Sequence, residues 1–209
     1  LSKGLTYAYA LRAIMLGDPD IIMTGEIPDI ETCNLALDAA QEHLVLGSTR
    51  DSTADEAIKG LLSMGADPAK LVKPGFMVVR QKFVETLCPD CSGEYHPSRE
   101  EFDQLVAEYG STKFAELKIN YNGNLLLKKP VGCKQCIYSG YKGRTSLQEI
   151  MIGSLEIFSL IKQGAGEEKV RSKAVEGGMI TLKQDGILKV FQGICDLKQV
   201  QEICKASEL

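Results

Sequence analysis

Four of the seven cysteines come in two pairs, Cys88-Pro-Asp-Cys91 and Cys133-Lys-Gln-Cys136. Two residues between thiolates let a single turn present both sulfurs to one metal ion. Two such turns complete a tetrahedral site with no coordination position left open. The chemistry expected is therefore structural zinc binding by Cys88, Cys91, Cys133 and Cys136, not metal catalysis. The 41 residues between Cys91 and Cys133 (positions 92 to 132) exceed the usual ribbon spacing and predict an inserted lobe. Two redox motifs are the weaker alternative, because neither pair sits in a thioredoxin-like βαβ context. Cys33, Cys195 and Cys204 fall on helical faces and read as core thiols.

A second candidate centre is Asp18-Pro19-Asp20-Ile21-Ile22-Met23-Thr24-Gly25-Glu26. A short apolar strand that delivers an acidic residue to its carboxyl end is the Walker B arrangement, and open α/β sheets bind ligands at that edge. There Glu26 can orient Mg²⁺ or polarise the attacking water of a nucleoside triphosphate. The bland alternative is a turn glycine followed by a solvated glutamate. His43 precedes the next apolar run, Leu44-Val45-Leu46-Gly47, whose polar end, Ser48-Thr49-Arg50, is expected at the same sheet edge as Glu26. By residue type alone, His43 reads as a packed or capping histidine and Arg50 as a surface residue.

These residues need elements to hold them. Leu5 to Leu16 has mixed helical spacing and stops at Gly17-Asp18-Pro19. A buried strand follows at 20–25. A helix starting at Pro28 runs to about Gln41 with acids in its first turn. A second strand covers 43–47, and Ser52 or Thr53 caps a helix that ends at Met64. Strand–helix–strand–helix at this spacing predicts a right-handed βαβ unit. Ser98 and Glu101 predict a capping box on a helix to Tyr109. Helices are expected at 154–163, 167–176, 181–192 and, capped by Asp196, to about Ala206.

Composition bounds the function. The chain has 209 residues, with 44% apolar, 25% charged and 6% aromatic, which excludes a disordered or collagen-like chain. Lys and Arg number 24 against 28 Asp and Glu, a net −4, so no basic field exists to hold nucleic acid or an anionic membrane by bulk charge. No apolar run approaches the length of a membrane span. The opening LSKGLTYAYALR lacks a signal-peptide pattern, and with an odd cysteine count this favours a reducing cytoplasm over a disulfide framework. A start without Met reads as a fragment of a longer protein.

In this order, the motifs resemble the C-terminal half of the type II secretion and type IV pilus assembly ATPases, the GspE/PilB group. The resemblance runs from Gly4 to about Val200. It rests on Gly4-Leu5-Thr6-Tyr7-Ala8 through Arg12, Asp18-Pro19-Asp20, Gly25-Glu26-Ile27 and His43-Leu44-Val45-Leu46. The two cysteine pairs with Gly140-Tyr141-Lys142-Gly143-Arg144-Thr145 and the terminal Gly178-Met179 complete it. It implies an α/β fold: the C-terminal part of a RecA-like P-loop NTPase domain (1–84), then a tetracysteine zinc lobe (85–146) and a helical segment (147–209). It further implies Glu26 as the Walker B glutamate, with Gly25 before it at the nucleotide. His43 becomes the first histidine-box residue, and Arg12 an inter-subunit or phosphate-facing arginine. Zinc would be structural, with ATP and Mg²⁺ used by a full-length homo-hexamer. That hexamer would dock on an inner-membrane platform of a bacterium, from the cytoplasmic side, and drive pilin or pseudopilin assembly.

Departures from the family pattern cluster at one edge. No G-x-x-x-x-G-K-[ST] is present to cradle phosphates, so this chain alone is not expected to hydrolyse ATP. Pro28 replaces an arginine, Leu16 a basic residue, and Arg50 the second histidine of the histidine box; Arg50 could supply a cation to the nucleotide instead. The alternative is therefore a catalytically silent scaffold or regulatory subunit of such a system. A zinc module binding nucleic acid is the third and least supported reading, opposed by the net charge.

Overall fold

The computed structural model describes residues 5–51, 53–72 and 75–205; Gly4, Ser52 and Ala206 lie outside them. They form a mixed α/β chain in two compact units. The first unit comprises residues 1–79 and 150–179, the second 80–149 and 180–209.

In the first unit, helix α1 (Tyr7–Met15) starts where the Thr6 hydroxyl accepts the Tyr9 N–H at 3.1 Å. It gives way to strand β1 (Ile21–Glu26), whose Ile22 is buried. Asp29 caps α2 (Ile30–Ala39) by accepting the Thr32 N–H at 2.8 Å. Strand β2 (Leu44–Ser48) returns parallel to β1, with Ile22 opposite Val45. This is the strand–helix–strand element expected from the pattern. Between the two possible caps of α3 (Ala54–Ser63), Thr53 holds a full capping box with Glu56. Helix α4 (Pro68–Val72) follows. Its Leu71 joins Cys33, Ile58, Phe158 and Val170 in one core, the last two supplied by α7 (Leu155–Lys162) and α8 (Glu167–Glu176).

The chain enters the second unit along β3 (Met77–Leu87) and leaves it along β6 (Tyr141–Ile152), which pairs with β3. Between them, β4 (Gly93–Tyr95) runs antiparallel to β5 (Leu127–Lys129). Helices α5 (Arg99–Tyr109) and α6 (Ser111–Glu116) lie between those strands in sequence. Ser98 caps α5 as expected, accepting the Glu101 N–H at 3.1 Å. The Glu101 carboxylate does not complete the expected box: it accepts the Tyr95 hydroxyl at 2.6 Å. Helices α9 (Leu182–Phe191) and α10 (Leu197–Lys205) close the unit. Its core joins Val84, Leu105, Leu147, Ile187 and Val200, with Phe102, Phe114 and Phe191 ring against ring.

An ion pair lies inside this unit. Arg80 of β3 and Glu149 of β6 stand 3.8 Å apart, their side chains 8% and 4% exposed. The other Glu149 oxygen accepts the Leu182 N–H at 3.3 Å, so one carboxylate ties two strands to the first turn of α9. Removing one partner of such a pair strands a buried charge. Glu149→Ala is expected to cost about 3–5 kcal/mol, read as a lowered midpoint in urea unfolding. A second expectation concerns pH. The Thr32 amide holds the Asp29 carboxyl below its usual 3.8. The cap therefore stabilises α2 above the unfolded value and is lost as pH falls through the lower folded one. The Thr32 amide resonance should titrate with a midpoint below 3.8.

Candidate functional sites

Glu26 ends β1, and the backbone re-aims it just before it ends. The register with β2 slips between Met23 and Gly25, leaving Thr24 as an extra residue. Gly25 sits at φ +74°, in the left-handed region that a side chain disfavours. The Ser48 hydroxyl donates to the Gly25 carbonyl at 2.5 Å, and Ile27 N–H to the Ser48 carbonyl at 3.1 Å, pinning the two strand ends together.

Into this edge comes Arg50. Its Nε donates to Glu26 Oε1 at 2.5 Å and its Nη2 to Oε2 at 3.3 Å, a two-pronged contact. The Arg50 side chain is 87% exposed, so solvent screens the pair and it adds little stability. Its importance is chemical: both Glu26 oxygens face a guanidinium. The edge thus gathers Gly25, Glu26 and Arg50, together with Ser48, the last residue of β2, which the sequence places at this edge but gives no role.

Two other expected residues stand elsewhere. Arg12 of α1 pairs with Glu31 in the first turn of α2 at 2.9 Å, both half to two-thirds exposed. His43 precedes β2. Its N–H bonds the Ala39 carbonyl, and the next residue, Leu44, donates to Asp20. Since β1 and β2 are parallel, His43 lies at the end of the pair opposite Glu26.

The second site is the cysteine cluster. Cys88 directly follows β3, and Cys136 ends a 3-10 turn, Lys134–Cys136. Both C-x-x-C turns are built alike: the last cysteine N–H reaches back to the first cysteine carbonyl at 3.3 Å in each. The four Sγ atoms lie within 4.8 Å of one another, with Cys91–Cys136 and Cys133–Cys136 both at 3.8 Å. A tetrahedron of sulfurs 2.3 Å from a zinc ion has edges of about 3.8 Å, so the donor set and its spacing fit the ion.

Backbone amides support the sulfurs. Cys133 N–H and Gly140 N–H each donate to Cys136 Sγ at 3.2 Å. Burial raises the Cys136 thiol, but these donors outweigh it and bring its pKa down to about 6, favouring the thiolate a metal needs. Cys91 is pushed up to about 12, by desolvation first and then by neighbouring thiols competing for charge. Gly140 has φ +82°, and a Cβ there would fall 2.5 Å from Pro130 Cβ. Cys33, Cys195 and Cys204 are buried in the two cores, apart from this cluster. Among the described residues no helix is long and apolar enough to cross a membrane.

The sequence and the fold both have known counterparts. The family model for type II/IV secretion system protein matches residues 2–202. The type II secretion system ATPase E of Vibrio cholerae is 34% identical over 97% of this chain, which spans 38% of that relative. The type IV pilus assembly ATPase PilB of Thermus thermophilus is 36% identical over 94% of this chain, which spans 21% of it. In PilB of Pseudomonas aeruginosa the figures are 33%, 97% and 34%. The X-ray structure of the Legionella pneumophila ATPase DotB matches 96% of this chain and 42% of its own with a TM-score of 0.55; at 18% identity that likeness concerns the fold. With a family model covering nearly its whole length, the chain belongs to the type II/IV secretion system protein family.

Proposed function

We propose that this chain is the C-terminal part of a motor ATPase for protein secretion or pilus assembly. The observation that carries the reading is Gly25-Glu26 at the carboxyl end of β1, beside the paired end of β2, in a chain whose family relatives are named ATPases. In that role Glu26 holds Mg²⁺ or orients the attacking water, and Arg50 and Gly25 border the nucleotide. Arg12 faces phosphate or a neighbouring subunit, and His43 lines the more distant end of the strands. A P-loop elsewhere in the longer protein supplies the phosphate cradle that this sequence lacks, so the chain alone is inactive.

The strand pair supports a missing layer. Parallel sheets are ordinarily covered on both faces. Here Ile22 is buried on one face, while Ile21, Met23, Leu44 and Leu46 are between 47% and 76% exposed. A RecA-like core completed by the rest of the protein would cover them. The working form in this reading is a homo-hexamer at the cytoplasmic side of the inner membrane. It contacts a membrane platform and couples ATP hydrolysis to pilin or pseudopilin assembly. The cysteine cluster holds structural zinc, which supplies cross-linking and no reaction step; the residues 85–146 form the lobe around it.

One observation favours the alternative of a silent scaffold: the two-pronged Arg50 contact that occupies both Glu26 oxygens. Mg-ATP turnover by the full-length protein decides between them. A motor loses at least about 100-fold in Glu26→Gln; a scaffold shows no turnover to lose. For the metal, elemental analysis of the purified chain is expected to give one zinc per chain. Chelation should unfold the lobe, and Gly140→Ala, which forces a side chain onto Pro130, should abolish zinc retention.

A further inference from the structure

The segment that opens α10 is bonded to both strands that carry the metal turns. Gly140 joins the two turns to each other: its N–H donates to Cys136 Sγ at 3.2 Å, and its carbonyl accepts from Cys88 N–H at 2.9 Å. The next residue, Tyr141, donates its hydroxyl to Asp196 Oδ2 at 2.9 Å. Asp196 is buried, and its other oxygen accepts the Gln199 N–H at 3.2 Å, capping the first turn of α10. On the β3 side, Leu87, immediately before Cys88, donates to the Ile194 carbonyl at 2.8 Å. The Gln199 side chain brackets Glu85, accepting its N–H at 2.9 Å and donating to its carbonyl at 3.1 Å. It also donates to Asp196 at 2.8 Å. Burial and the Asp196 acceptor raise the Tyr141 hydroxyl above its usual range, so it stays a donor across physiological pH.

We propose that metal occupancy at the four cysteines governs the docking of α10, with Tyr141, Asp196 and Gln199 as the positioning residues that link the two. The proposal rests on the zinc reading above. The physical basis is that the backbone at 85–87 and 140–141 is shared: the same few residues flank the ligands and anchor residues 194–199. A metal ion cross-links the two turns and so holds both anchoring strand ends in register. Without it the turns are joined only by hydrogen bonds among thiols and amides. The anchors then lose their fixed spacing, and the apolar face of α10, with Val200 and Cys204, loses its hold on the core. Linkage is reciprocal: if bound metal favours the docked α10, a docked α10 favours metal binding by the same factor.

The test uses the full chain with its zinc content measured, by peptide-resolved hydrogen–deuterium exchange before and after chelation. Residues 197–205 should lose protection on zinc removal while α7, in the other unit, keeps it. Tyr141→Phe and Gln199→Ala should each retain one zinc but release it to a chromogenic chelator about 10-fold faster, as expected for groups supporting metal ligands. Unchanged α10 exchange after metal loss, or wild-type release in both variants, overturns the proposal. Equal loss of protection in α7 also overturns it, since the metal would then hold the whole chain folded. A chain that carries no zinc and takes none up overturns the zinc reading itself, a result distinct from a loaded lobe whose α10 ignores the metal.

Discussion

Four sulfurs contributed by two turns, 41 residues apart along the chain, meet within 4.8 Å of one another. Much of the second unit answers to that requirement. Cys88 comes directly after β3, and Gly140 directly before β6, so the pairing of those strands is what brings the turns together. The lobe of α5, α6, β4 and β5 is the excursion between them. Four donors fill a tetrahedron, so a metal bound here would act as a fastener. Its contribution would be geometric, and it would reach beyond the turns because the strands joined to them are long: 11 and 12 residues.

The acidic edge follows a different logic. Nothing there is buried deeply, and the strongest contact, Arg50 to Glu26, adds little stability. What the structure supplies is aim. A slipped register, a glycine in a left-handed conformation and a serine hydroxyl on its carbonyl turn the strand end so that one carboxylate faces one guanidinium. Such an arrangement has no evident use in folding, which is why it draws attention as chemistry.

Local signals in the sequence were strong where the chain satisfies its own needs within a few residues. The Ser98 cap and the Ser52-or-Thr53 cap foretold helices, because a hydroxyl three residues before an orphan amide is a local arrangement; Asp29 and Thr181, expected inside their helices, cap them instead. The cysteine pairs were legible for the same reason. The strands β3 and β6 were not: Gln81, Lys82 and Glu85 interrupt the alternation, and their pairing is decided by a partner more than 50 residues away. Helix α6 escaped because a six-residue helix after Gly110 has too few turns to show a period. The salt contact between Arg50 and Glu26 was half legible. Both strand ends were expected at one edge, but only the slip at Thr24 decides which side chains meet there.

The division of the chain into two interleaved units bears on how the protein is made. The core of the first unit needs Phe158 and Val170 to complete what Cys33, Ile58 and Leu71 begin. On a ribosome, at about 5–20 residues per second, roughly 5 to 20 seconds separate the emergence of Leu71 from that of Val170. Throughout that interval the early helices lack the α7 and α8 side chains of their core, and residues 80–149 of the second unit are synthesised in the gap. Within this unit, birth order thus runs against folding order: Cys33, Ile58 and Leu71 are made well before the Phe158 and Val170 they pack against. A chaperone, or a slow stretch of translation, would find its work there rather than at the metal turns.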